Sequence, residues 1–169
     1  KKWKLAILYG KFKTCMFMKG TLILSNKWDK RFLEMAKLVA SWSKDPSTQV
    51  GAIAVRNRNV IAQGYNGFPR GTDDHELYYL NKAIKYKRIV HAEMNAIFNA
   101  AENGVSLKGS TIYVVGLPIC SDCAKGLIQA GISRVVTPEQ EIPENWQESV
   151  TSSMSIFKEV GIKWDWIAL

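Results

Sequence analysis

The sequence predicts an α/β domain, a layered sheet with helices on both of its faces. Segments with apolar residues at every third and fourth position alternate with short runs rich in β-branched and aromatic side chains. Helical stretches of about 10–15 residues between such runs suit crossover connections in a layered sheet. At 169 residues, with 47% hydrophobic side chains, the chain can enclose one core of ordinary size. No internal repeat or low-complexity linker divides it, so residues 18–169 are expected to form a single domain.

In chain order, Phe32, Met35, Ala36, Val39, Ala40 and Trp42 mark one face of an amphipathic helix over 28–43. Asp45-Pro46 should stop it, because proline pushes the residue before it out of helical conformation. Residues 49–55 and 59–65 are β-rich and flank the polar Arg56-Asn57-Arg58, which predicts a hairpin. Gly64, Gly67, Pro69 and Gly71 mark the following loop. Residues 73–90 are polar and aromatic and read as an insertion over one sheet edge, with a short helix around 76–85. Residues 91–102 carry Ala92, Ala96, Ile97 and Ala100 on one helical face, with Gly104 placed to end it. A strand over 111–115, a helix over 120–130, a short strand over 135–137, a helix over 145–160 and a strand over 162–167 complete the chain.

The formal charge of +8 raises the question of a nucleic-acid partner. Lys1, Lys2, Lys4, Lys11, Lys13 and Lys19 place much of the surplus in the first twenty residues, and the rest of the chain is nearly neutral. Residues 1–17, which precede Met18, are therefore expected to be a basic appendage, an artificial leader or an upstream extension, in preference to a nucleic-acid arm. No apolar run approaches the eighteen or so residues that cross a bilayer. Neither nucleic acid nor membrane is expected as a partner. Two of the three cysteines stand three apart, a poor disulfide framework and a better metal or redox pair, and a reducing cytoplasmic setting agrees with it.

The chemistry-bearing pattern is His91-Ala92-Glu93 with Cys120-Ser121-Asp122-Cys123 downstream, each piece at the start of a predicted helix. One imidazole and two thiolates make a three-ligand zinc set, and three protein ligands leave a fourth position for water, the arrangement of catalytic zinc. Helix starts favour thiolates through the positive end of the dipole. Glu93, two residues from His91, is placed to carry protons for such a water. His-x-Glu with a downstream Pro-Cys-x-x-Cys is the pattern of zinc base deaminases, in which water adds at C4 of cytosine, the glutamate protonates N3 and the amine leaves as ammonia. Taken alone, the histidine or the cysteine pair reads more readily as core packing or a redox motif. A redox centre would leave His91 and Glu93 without a role.

Four segments in order resemble the deoxycytidylate deaminase family: 43–52 (SKDPSTQVGA), 64–71 (GYNGFPRG), 91–97 (HAEMNAI) and 123–125 (CAK). The resemblance covers residues 28–137. It implies a three-layer α/β/α sandwich with a five-stranded mixed sheet and hydrolysis of dCMP to dUMP. It also implies one catalytic Zn2+ per chain and a homo-oligomer, commonly a hexamer, regulated by dCTP and dTTP with Mg2+. By motif position it assigns Asn66 to the deoxyribose and the Ala92 backbone to the cytosine edge, with Ser47 and Lys44 as further substrate contacts. Arg70 and Tyr65 fall to phosphate or effector. Asn66 ahead of Gly67 equally suits a tight turn, and Lys44 and Arg70 equally suit a solvated surface. Family members usually have proline directly before the first metal cysteine; here Ile119 stands between Pro118 and Cys120, which puts the local loop shape in question. With only Cys15 and His75 left over, no second, structural zinc is expected, and His75 is expected on the surface.

Other readings stay open at this point. One is a deaminase of dCTP, alone or together with dCMP. Another is a tRNA adenosine deaminase, which would spread basic residues over its folded face. A non-catalytic nucleotide sensor would have no need of Glu93.

Overall fold

The computed structural model describes residues 27–169, so the basic appendage over 1–17 and Cys15 lie outside the described residues. Along β1 (Gly51–Arg56), Ala52 and Ala54 belong to one side of the sheet, Ile53 and Val55 to the other, and all four are buried. A strand apolar on both faces has to be covered on both. Helix α1 (Lys27–Ala40) covers one face, placing Phe32, Leu33, Ala36 and Val39 against Ile53, Val55, Tyr113 and Val136. On the other face lie α4 (Ala92–Glu102), α5 (Ser121–Gln129) and α6 (Gln147–Glu159), which bury Ala96, Ala100, Leu127 and Phe157 against Ala52, Ala54, Ile112, Val114 and Val135. Fully burying a side chain such as Leu33 or Ile112 contributes roughly 1.5–3 kcal/mol, so both layers are held mainly by apolar burial.

The sheet runs β2 (Asn59–Tyr65), β1, β3 (Thr111–Val115), β4 (Arg134–Pro138), β5 (Lys163–Ile167). β1 pairs antiparallel with both β2 and β3, whereas β3, β4 and β5 run parallel. The sheet is thus mixed and five-stranded, in a three-layer α/β/α arrangement. Three elements differ from the sequence expectation. The first helix ends at Ala40, because Ser41, Trp42 and Ser43 draw in tightly onto the carbonyls of Leu38, Val39 and Ala40. The insertion holds two short helices, α2 (Glu76–Leu80) and α3 (Lys82–Arg88), split where the Asn81 side chain accepts from the N–H groups of Ala83 and Ile84 and starts the second. The helix predicted over 145–160 opens with a 3-10 turn over Glu144–Trp146 before α6 begins.

The hairpin turn places Asn57 and Arg58 at φ of 53° and 63°, the left-handed pair of a two-residue turn whose twist matches its strands. Beneath α1, Arg134 reaches Asp29 at 2.9 and 3.0 Å and Asp165 at 2.7 Å, while the Tyr113 hydroxyl donates to Asp29 at 2.7 Å. The two buried carboxylates are thereby both compensated.

Candidate metal centre

Both motif histidine and first motif cysteine stand one residue before a helix. His91 is the N-cap of α4 and Cys120 the N-cap of α5, each extended, at ψ of 153° and 162°. Two close packings bring these helix starts together. Gly64 on β2 lets α4 lie against the sheet, since any Cβ there would collide with the backbone of Ala92 and Ala96. Gly126 on α5 admits Met94 of α4, whose Sδ would stand 2.6 Å from an added Cβ. Ile119, the residue inserted after Pro118, is fully buried, and its carbonyl accepts from the Ser153 hydroxyl at 3.0 Å. That anchor seats the loop in the core and leaves both cysteines in place.

The Nδ1 atom of His91 lies 3.4 Å from the Cys120 Sγ and 3.3 Å from the Cys123 Sγ, and the three donor atoms all fall within 4.8 Å of one another. Zinc bond lengths of about 2.3 Å to sulfur and 2.0–2.1 Å to nitrogen, at a tetrahedral angle, require a nitrogen–sulfur edge of roughly 3.6 Å. The donor set fits. Among themselves the donors share protons. The hydrogen bond with Cys123, and after it His91, hold the Cys120 thiol down to about 4 against the effect of burial, whereas the same bond and burial push Cys123 up. The bond to Cys120 raises His91. Metal binding needs these donors without their protons, the sulfurs as thiolates and the imidazole neutral, so an ion here would displace the shared protons.

Glu93 is 3% exposed, and burial pushes its carboxyl up to about 7, with His91 opposing. A carboxyl poised there can both take and release a proton near neutrality. Glu93, His91 and Ala92 line a cavity of about 260 Å³, whose walls also include Asn66, Thr48 and Trp146.

The remaining sequence candidates separate into three groups. Asn66 borders the cavity, but its side chain is also structural: Oδ1 accepts from Val50 N–H at 2.8 Å, and Nδ2 donates to the Thr48 carbonyl at 2.9 Å and to Asp45 at 3.4 Å. Ser47 lines a neighbouring cavity, donating to Asp45 at 2.9 Å and accepting from Lys85 at 2.9 Å. Lys44, Arg70 and Tyr65 lie outside both cavities. Lys44 pairs with Asp74 at 2.7 Å, Arg70 pairs with Glu102 and Asn99, and Tyr65 meets the edge of Trp42. His75 is exposed and caps α2, accepting from Leu77 N–H.

Sequence reasoning missed Asp45, Lys85 and Trp146, all of which line the cavity. Asp45 was legible as part of a helix stop and of the 43–52 segment but without a role of its own, and Lys85 is one of four basic residues in a segment without apolar period. Trp146 sits in the 3-10 turn, its ring 6.4 Å from that of His91, and no sequence signal marks it.

Residues 26–139 match the model of the cytidine and deoxycytidylate deaminase zinc-binding region. An uncharacterized deaminase from the luxG 3′ region of Aliivibrio fischeri is 42% identical over 146 residues, covering 85% of this chain and 96% of that protein. The deoxycytidylate deaminase of Mus musculus is 39% identical over 142 residues, covering 80% of this chain and 77% of its own. Among solved structures, the dCMP deaminase of cyanophage S-TIM5 in complex with dCMP and dUMP superposes with a TM-score of 0.65 at 25% identity, over 82% of this chain and 95% of that one.

Proposed function

Since the chain belongs to the cytidine and deoxycytidylate deaminase zinc-binding family, we propose that it hydrolyses dCMP to dUMP and ammonia, supplying dUMP for thymidylate synthesis. The observation that carries this reading is the convergence of His91 Nδ1, Cys120 Sγ and Cys123 Sγ, with His91 and the buried Glu93 both lining one cavity. In it, those three atoms hold a single Zn2+, which when bound supplies Lewis-acid activation of a water nucleophile. The Glu93 carboxylate takes a proton from that water and delivers it to N3 of the cytosine. A second proton, carried by the same oxygen pair to the C4 amino nitrogen, lets ammonia leave and a C4 carbonyl remain. The first N–H groups of a helix have no partner within it, so Ala92 N–H at the start of α4 is free to bond the base edge. Asn66 Oδ1, with one lone pair on Val50, keeps a second for the deoxyribose hydroxyl.

Ser47 stands with the substrate phosphate, on the strength of its hydroxyl beside the cavities. Lys44, Arg70 and Tyr65, outside both cavities, fit effector contacts better than substrate contacts. Activation by dCTP, inhibition by dTTP, Mg2+ carried with those triphosphates and a hexameric assembly extend the reading from the family resemblance. Among the described residues no helix is long and apolar enough to cross a membrane. A second reading, deamination of dCTP, is favoured by the neighbouring cavity of about 330 Å³, which shares Thr48, Lys85 and Tyr86 with the first and gives further phosphates room.

Ammonia release from dCMP and dCTP assayed side by side, with and without dTTP, separates these readings. Glu93→Gln should retain about one zinc per chain by elemental analysis while losing 10²–10⁴-fold or more in kcat. His91→Ala and Cys120→Ala should lose the metal as well. Undiminished turnover in Glu93→Gln would remove the proposed mechanism.

A further inference from the structure

Lys85 is a buried cation in the wall of the cavity that also holds Glu93. It comes from α3 of the insertion, its side chain is 10% exposed, and it lies at the junction of the two cavities, both of which it lines. Burying an ammonium is costly unless it is compensated, and Asp45 at 2.5 Å compensates it. Its hydrogen bond to Ser47 Oγ is 2.9 Å long. An ammonium carries three donors, and Asp45 and Ser47 account for two.

The carboxylate itself is well occupied. Asp45 Oδ1 accepts from the backbone N–H groups of Ser47 and Thr48 and from the Ser47 hydroxyl, and Oδ2 takes Lys85 and Asn66. With so many donors on it, Asp45 presents little uncompensated negative charge to a second anion nearby. The cavity of about 260 Å³ lies just under the usual range of roughly 300–1,000 Å³ for small-molecule sites, a size for one compact ligand. Glu93, Ala92, Asn66, Thr48 and Lys85 all line this one cavity, so a ligand with its base against Glu93 and its sugar beside Asn66 shares the space with Lys85 and Thr48. Of the cations that sequence motifs suggested for phosphate, Lys44 and Arg70 are turned to surface partners outside this space.

We propose that Lys85 is the specificity residue that receives the 5′-phosphate of the substrate, with the Ser47 hydroxyl beside it, and so makes this site prefer a nucleotide to a nucleoside. The inference rests on the deaminase reading above. Its test uses the zinc-loaded full chain and two readouts: kcat/KM for dCMP against deoxycytidine by ammonia release, and calorimetric affinity for dUMP against deoxyuridine. Lys85→Met should lower the nucleotide preference in both readouts by roughly 10–100-fold, the effect of one hydrogen bond to a charged group. Lys85→Arg should recover much of that preference. Because Lys85→Met strands the Asp45 carboxylate, the same change is also made together with Asp45→Asn, with circular dichroism and zinc content as checks of the fold. Equal losses for dCMP and deoxycytidine, with the preference unchanged, would make Lys85 a structural pair for Asp45 and overturn the proposal. A zinc-loaded protein that binds dUMP over deoxyuridine through Lys85 yet releases no ammonia from dCMP would sink the deaminase reading and leave Lys85 in its role.

Discussion

Asn66 shows how one side chain serves two ends. Its amide closes the 45–50 segment by bonding Val50 N–H, the Thr48 carbonyl and Asp45, and the same residue forms a wall of the cavity. Asn66→Ala strands a buried N–H, a carbonyl and part of a carboxylate, so it is expected to cost about 1–3 kcal/mol in urea unfolding, with KM for dCMP rising as the loop loosens. Asn66→Asp keeps the acceptor for Val50 and places a second carboxylate beside Asp45. It is expected to be worse than alanine at neutral pH and to recover in acid. Sequence reasoning could see an asparagine before a glycine, which suits either a turn or a sugar contact. The partners that decide its structural role lie 16 to 21 residues away and carry no sequence signature.

At the level of elements, the site depends on how closely α4 approaches the sheet. Gly64→Ala would press a methyl group into the backbone at Ala92 and Ala96, at the head of the helix that carries His91 and Glu93. Overpacking of this kind typically costs about 1–3 kcal/mol, and a shift of the order of 1 Å at a catalytic group can cost about 10²-fold in rate. The expected result is a folded, less stable protein whose kcat falls by that order with zinc largely retained, measured by thermal melting, ammonia release and elemental analysis together. The helices and strands around this contact were legible because their apolar residues repeat at 3.6 or alternate at 2, as in α1 and β1. The candidate metal donors could be picked out because His91, Cys120 and Cys123 are rare residues at telling spacings, and the structure brings the three together. The two-helix form of the insertion was not, because Asn81 acts through a local cap that interrupts an already weak pattern.

At the scale of the molecule, the buried carboxylates of Asp29, Asp45 and Asp165 depend on cations that sequence separation hides. Burial alone would raise Asp29 and Asp45, but Arg134 and Tyr113 for the first, and Lys85 and Ser47 for the second, hold both below the ordinary value of 3.8. A depressed carboxyl adds stability that is fully present above its unfolded pKa and is lost as pH falls through the lower folded value. The part of the stability in urea that these two carboxyls supply, read as the difference from the Asp29→Asn and Asp45→Asn variants, should therefore be nearly level from pH 7 down to about 5 and decline below about 4. Arg134→Met leaves Asp29 and Asp165 without their shared partner, so it should cost about 3–5 kcal/mol at pH 7 and less in acid, where protonation relieves the stranded charge. A loss that stayed the same at pH 7 and pH 3 would show that packing, and not charge, is what Arg134 supplies there.

The insertion built from α2 and α3 is fastened to the remainder by a few specific ties: the Lys85–Asp45 pair, the Phe68–Tyr79 stack with centroids 4.1 Å apart, and the bridge between Gly67 and Val90. Glu93 and the candidate metal donors, by contrast, sit at the starts of α4 and α5, which pack into the core against the sheet. Under the proposed function, the proton-carrying Glu93 and the phosphate-receiving Lys85 thus come from different segments, so lengthening the stretch between Gly71 and Val90 is expected to change which nucleotide binds before it changes the reaction.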